Sequence, residues 1–360
     1  MGGLEMEVNV YDLLDIYERE VSKNTKNKRK INNFERFKMI SMYDIKNIIE
    51  SGNYSVGKYN IFSISRPKYR IVMSFGVKDK IINHYVARKI LVSKLDKYLD
   101  IRNCATRSGM GYDYGIKLLL KYLEKYKKYD RFYILRIDIS KYFYSIDHSV
   151  LRELLDGKLD DYEYNIVSSI IDSTNSCYVN EKIIRIKDRL LDIDKKRTSE
   201  IEKIPIYRYG KGLPIGNMTS QFLSIFYLYK LDHYIVNDLK LKHMVRYMDD
   251  YVIFHHDKEY LKYALKIIIE KLVREYKLNV NDKKTFVVDS YNGFEFLGYR
   301  FNVKNNKIMI NIKGENRRRR SSNIKKNNYL YRCGCISYRN YFNSMNNYKN
   351  SYKYIKNNKY

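Results

Sequence analysis

Two adjacent carboxylates, Asp249 and Asp250, lie inside the stretch Val245-Arg246-Tyr247-Met248-Asp249-Asp250-Tyr251-Val252-Ile253-Phe254. Apolar, β-favouring residues on both sides predict a strand, a tight turn and a second strand. Asp-Asp is also ordinary turn chemistry, because aspartate bonds its own backbone. Here, though, two negative charges are pressed together between hydrophobic strands, which costs energy unless something positive, such as a divalent metal, compensates. A metal site needs a further carboxylate. The run Tyr133-Ile134-Leu135-Arg136-Ile137-Asp138-Ile139-Ser140-Lys141-Tyr142-Phe143 offers Asp138 where a buried strand would not tolerate an unpaired charge. A core aspartate neutralised by Arg136 is the competing reading. Strands that bring Asp138 beside Asp249 and Asp250 would hold two Mg²⁺ ions roughly 4 Å apart, the arrangement used for in-line phosphoryl transfer.

The remaining residues must position these groups. The chain has 360 residues and a formal net charge of +28, which calls for a polyanionic partner. No apolar run reaches membrane-spanning length and no charged-then-apolar leader opens the sequence, so a soluble, cytoplasmic protein without a membrane partner is expected. Cys104, Cys177, Cys333 and Cys335 form no CxxC pair, which supports neither a zinc ribbon nor a disulfide framework. With no tryptophan, tyrosine must supply much of the aromatic surface for base stacking. Helical spacing is expected at Val10–Tyr17, Asp79–Leu91, Tyr114–Tyr126, Phe222–Leu231 and Leu261–Tyr276. Lys23–Lys30 reads as a solvated basic connector, and the charged stretch near 187–203 as a surface insertion. Tyr59–Val72 alternates as a strand does, which would put Lys68 and Arg70 on one face; a basic edge strand protected from aggregation looks the same. From Lys313 to Tyr360 thirteen Lys or Arg face one acid, Glu315.

Tyr247-Met248-Asp249-Asp250 resembles motif C of reverse transcriptases, and Leu135–His148 (LRIDISKYFYSIDH) resembles their motif A. Further matches follow in the family's order: Gly212–Gln221 (GLPIGNMTSQ) for motif B, Leu278–Thr285 for motif D, Phe294–Phe301 (FEFLGYRF) for motif E, and Ile336–Phe342 for the Ser-Tyr helix of the thumb. The resemblance implies an α+β right-hand polymerase fold, with an N-terminal extension and fingers over 1–132, a palm over 133–301 and a basic helical thumb or tail over 302–360. It implies an RNA-directed DNA polymerase that uses two Mg²⁺, with Mn²⁺ as an alternative ion, held by Asp138, Asp249, Asp250 and the carbonyl of Ile139. Lys284 matches the motif D lysine that protonates pyrophosphate; solvated surface charge is the bland reading. Lys68 and Arg70 match the fingers cations that meet the incoming triphosphate, Phe143 the steric gate under its sugar, and Gly216 and Gln221 the motif B contacts to the nascent pair. Template or primer contacts fall at Arg107, Ile215, Asn217, Tyr247, Gly298, Arg317 and Tyr338. The implied partners are template RNA, a DNA or RNA primer, dNTPs and, as a candidate, an accessory protein subunit.

Motif B departs from the common retroelement version, which has Gln before the glycine and Pro after the serine; here those positions are Ile215 and Gln221. That pattern resembles the reverse transcriptases of diversity-generating retroelements, which copy a template RNA with frequent errors at adenines. Antiphage-defence and group II-like reverse transcriptases, and more remotely an inactive nucleic-acid-binding scaffold, are the alternatives. A retroviral-type RNase H needs clustered acids and an HNH nuclease needs histidines. Past motif E only Glu315 and no histidine are available, so neither activity is expected within this sequence.

Overall fold

The computed structural model describes residues 7–129, 131–350 and 353–356. The chain divides into two interleaved compact units, one built from Met1–Ile101, Ile139–His233 and Ile269–Asn279, the other from Arg102–Asp138, Tyr234–Ile268 and Val280–Tyr360.

The first unit is mostly helical around one hairpin, β1 (Asn60–Ile64) and β2 (Arg70–Ser74), paired in antiparallel register from Asn60↔Ser74 to Ile64↔Arg70. Alternate residues of β2 are buried, as a strand with one face on a core requires. Ile71 and Met73 join Val179 and Ile183 of the helix Cys177–Ile193, together with Ile201, Ile204 and Tyr207, in that core. The stretch near 187–203 is therefore more than a surface insertion. It carries the end of that long helix and a short one, Thr198–Glu202, whose Ile201 is fully buried. The helix Lys28–Glu35 likewise takes over the end of the expected Lys23–Lys30 connector.

The second unit holds a four-stranded antiparallel sheet in the order β4 (Met244–Tyr247), β5 (Asp250–His255), β3 (Tyr133–Asp138), β6 (Phe286–Asp289). β3 is central, and four of its six residues are buried in an unbroken run, as expected of a strand covered on both faces. The helix Tyr112–Tyr126 buries Ile116, Leu119, Tyr122, Leu123 and Tyr126, one helical face, in a core shared with Ile134, Val252 and Phe254. A second sheet follows: β7 (Phe294–Phe296), β8 (Tyr299–Lys304) and β9 (Lys307–Ile312). The motif E stretch thus forms a hairpin, β7–β8, and β9 adds a third strand. The helices Gly314–Arg332 and Tyr338–Asn350 then pack together, with Tyr331 and Tyr341 stacked at 4.5 Å. Among the described residues no helix is long and apolar enough to cross a membrane.

Candidate active site

Sheet register gathers the carboxylates. Asp138, the last residue of β3, is the cross-strand partner of Asp250, the first of β5. Directly opposed residues of an antiparallel pair have Cβ atoms about 5 Å apart. Tyr247↔Asp250 is the last pair of the β4–β5 hairpin, which leaves Met248 and Asp249 as its turn. Met248 has φ +58°, in the left-handed region that costs a side-chain-bearing residue roughly 1 kcal/mol or more. The strained turn is held from below. Arg246, fully buried, donates from Nη1 to the Met248 carbonyl at 3.1 Å. The Arg246 backbone is itself tied on both sides, its amide to Arg102 O and its carbonyl to Cys104 N, each at 2.9 Å.

Each flanking carboxylate has its own cation. Arg136 ion-pairs with Asp250 and also donates to the Glu295 carbonyl. The sequence left Arg136 as a counterion for Asp138. It lies two residues before Asp138 on the same face of β3, and its long side chain crosses diagonally to β5 instead. Asp138 is satisfied by motif D: Lys284 Nζ lies 2.7 Å from Oδ1 and Asn281 Nδ2 donates to Oδ2 at 3.0 Å. Asn281 N donates to the Asp138 carbonyl at 2.7 Å, and the Asp138 amide donates to Thr285 Oγ1 at 3.3 Å. Burial, with the charges of Asp138 and Asp250 added, raises the Asp249 carboxyl to about 6. Burial also raises Asp250, with Arg136 opposing it.

Among the described residues, no three acidic, histidine or cysteine side chains converge closely enough to hold an ion as they stand. Arg136 and Lys284 take acceptor oxygens that a cation would use. The donor set nevertheless fits a hard divalent ion: only carboxylate oxygens, in a place that raises their proton affinity and so favours any added positive charge. Lys284, half exposed, is free to swing away. Ile139, next in the chain after Asp138, is buried.

The nucleotide candidates lie in the first unit. Lys68 does not share a strand face with Arg70. It lies in the β1–β2 turn after Pro67, a residue that cannot donate to a ladder, and β2 begins only at Arg70. Both cations are exposed. The turn is gripped by the stretch read as an insertion. Tyr69 N donates to Glu200 Oε1 at 2.6 Å and Tyr69 OH to Asp194 Oδ2 at 2.8 Å. Arg197 donates to the Ser65 carbonyl at 2.9 Å and covers the Tyr69 ring at 4.2 Å.

Phe143 is partly buried, and its carbonyl accepts from Leu213 N at 2.7 Å, so the gate candidate and the motif B loop are one hydrogen-bonded piece. Ile215 O accepts from Met73 N of β2 at 2.8 Å. Gly216 has φ +113°, and a Cβ there would stand 2.8 Å from Val72, so close packing on β2 already demands glycine. Asn217 is buried and Gln221 partly so, on the helix Met218–Tyr227. Sequence reasoning missed Asn83, a buried side chain that accepts from Met218 N at 3.1 Å and donates to Thr219 Oγ1 at 2.6 Å, fixing the start of that helix. It missed Asn281 and Arg246 as well.

The template and primer candidates Arg107, Tyr247, Gly298, Arg317 and Tyr338 fall in the second unit. Arg107 braces its own loop through the Asn103 carbonyl at 3.3 Å, and Tyr247 is half-buried against the core. Gly298 turns the β7–β8 hairpin with φ +82°, and its carbonyl accepts from Lys313 N at 3.2 Å. Arg317 and Tyr338 are exposed on the two C-terminal helices.

Carboxylates at the tip of a central strand and on the turn beside it, in an antiparallel sheet flanked by helices, define a polymerase palm. Residues 57–301 match the family model described as reverse transcriptase (RNA-dependent DNA polymerase), which spans more than half of the chain. The chain belongs to that family of nucleotidyltransferases and has its right-hand polymerase fold. Similar solved structures include apo telomerase from Candida tropicalis truncated from its C-terminal domain (14% identity, TM-score 0.49, covering 71% of this chain and 55% of that one). Telomerase from Candida albicans in complex with a TWJ fragment of telomeric RNA is another (15% identity, TM-score 0.48, 72% and 47%). The match thus spans about half the length of those telomerases. No curated protein matches the sequence.

Proposed function

We propose that this protein is an RNA-directed DNA polymerase that extends a DNA or RNA primer along an RNA template with dNTPs. The observation that carries the proposal is the cross-strand pair Asp138↔Asp250 with Asp249 on the adjoining turn. Asp138, Asp249, Asp250 and the Ile139 carbonyl would hold two Mg²⁺ (or Mn²⁺), which activate a primer hydroxyl and neutralise the leaving pyrophosphate when bound. The chain's own contribution is positioning. Arg246 fixes the turn and Arg136 orients Asp250. Lys284 neutralises Asp138 in the metal-free protein and supplies an ammonium proton donor once displaced. Arg70 and Lys68 would meet the triphosphate, arginine binding its oxygens in pairs. The ring of Phe143 would exclude a 2′-hydroxyl, so Phe143→Ala should increase ribonucleotide incorporation; unchanged sugar discrimination would remove that role. The division into fingers (1–132), palm (133–301) and thumb (302–360) belongs to the same reading, as do a cytoplasmic location and an accessory subunit.

The finer reading is a diversity-generating retroelement, supported by Ile215 and Gln221 where the common motif has Gln and Pro. Loss of a template-side glutamine would loosen selection against wrong pairs. Primer extension on a defined RNA template with dNTPs and Mg²⁺, sequenced beside an Asp249→Ala control, tests both levels. Extension lost in the control with errors at template adenines supports both, whereas accurate extension points to a defence or intron-like enzyme. Template-dependent extension that survives in the control would overturn the site assignment.

A further inference from the structure

The first unit contains a cleft of about 570 Å³ lined by Lys141, Lys187, Lys203, Arg208, Lys211 and Lys277, with Glu202 as its one lining acid. No role in the proposed chemistry uses these cations. Part of the set is held rigid. Lys187 Nζ donates to the carbonyls of Glu202 and Ile204, both at 3.1 Å, and Lys277 and Lys211 sit 3.1 and 3.7 Å from Asp147. Lys141, Lys203 and Arg208 are exposed. So many cations beside so few acids leave a strong local positive field, which suits a chain of phosphates.

Beside Arg208, Tyr209 is 88% exposed, the most exposed of the large hydrophobic side chains among the described residues. Its ring stands on a fixed loop. Tyr207 is buried, its amide donates to Asn180 Oδ1 at 2.9 Å and its hydroxyl to Leu213 O at 3.2 Å. Gly210 N donates to Asn175 Oδ1 at 2.8 Å, and the Gly210 carbonyl accepts from His148 N at 2.9 Å. Ile206, 46% exposed, adds apolar surface to the lining of the cleft. A basic cleft with an exposed aromatic ring on a rigid loop is how proteins hold unpaired nucleic acid: cations follow the backbone while the ring stacks on a base. A duplex hides its base faces, so it would use the cations and leave the ring idle.

We infer that Lys203 and Arg208 of this cleft, with the adjoining Tyr209, form a second nucleic-acid surface that binds an unpaired RNA strand. It rests on the polymerase reading only in taking that strand to be RNA.

The test measures binding of a fluorescent oligouridylate to full-length protein across a salt series, with a blunt RNA duplex as a second probe. Lys203→Ala combined with Arg208→Ala is expected to lower the slope of log affinity against log salt by about 1.4, since each phosphate contact on a single strand contributes about 0.7. Tyr209→Ala should weaken oligouridylate binding about tenfold with an unchanged slope and leave duplex binding alone. Unchanged binding in both variants overturns the inference. So does equal loss on the duplex, or competition by pyrophosphate or polyglutamate with Tyr209→Ala silent, which would assign the cleft to a small anion or an acidic protein. Primer extension measured in parallel separates the two readings: an inactive polymerase with the binding differences intact sinks the function and keeps this surface.

Discussion

Two hairpins carry charged groups at their tips, and they are secured in opposite ways. The β4–β5 turn, with Asp249, is held from inside by the fully buried Arg246, and Arg136 pairs with Asp250 at 10% side-chain exposure. The β1–β2 turn, with Lys68, is held from outside by Asp194, Arg197 and Glu200, the latter two about one-third exposed. Removing one partner of a buried charge contact leaves a charge with nowhere to go, whereas an exposed pair gives way to water at little cost. The carboxylate turn is therefore built to stay still and the β1–β2 turn to yield. That division suits a reaction in which the reacting centre is fixed and the nucleotide must enter and leave.

The comparison can be tested at each level of cost. Asp138→Ala or Asp249→Ala should reduce primer extension by about a thousandfold or more, because preorganised charge supplies much of the rate. Full activity in both would remove the carboxylate turn from the chemistry. Arg246→Met should destabilise the fold by up to about 3 kcal/mol in urea titration, the scale of a lost buried hydrogen bond from a charged group; a loss near zero would mean that the turn needs no internal brace. Asp249→Asn should act in the other direction. The Asp249 carboxyl titrates near 6 in the folded protein against 3.8 ordinarily, so its ionisation opposes folding. That cost is absent below the ordinary value, grows as pH rises through the window and is complete above about 6. The variant should thus become more stable than the parent by about 3 kcal/mol above the window and equal to it below. Added Mg²⁺ should narrow the gap by stabilising the parent. The smallest effect belongs to Arg197→Ala: the KM for dNTPs should rise about threefold at constant kcat, with stability changed by less than about 1 kcal/mol. A large loss of stability there would make the two hairpins alike.

The three aspartates of the candidate site were legible because strand pattern, turn chemistry and a misplaced charge all pointed to them within short windows. Their immediate partners were not. Nothing local says that Arg136 reaches across to Asp250 while Lys284 and Asn281, well over a hundred residues downstream, take Asp138. Register between distant strands decides that. Lys68 was misplaced because alternation was read through Pro67, where the ladder must break. The strand β9 had a readable signal, apolar residues at 308, 310 and 312, which the basic residues around it hid. The stretch near 187–203 looked solvated because its contacts with Tyr69 are made by charged residues, and charge composition cannot tell a brace from a free surface.

Each compact unit is stitched from three separate lengths of chain, and the thread passes from one to the other between Asp138 and Ile139. A ribosome that stopped before Asp250 would release Asp138 without its cross-strand partner, and one that stopped before Phe286 would leave β3 bare along its other edge. No single cut leaves both units whole. Such a gene cannot be divided at one point into halves that each encode a complete unit.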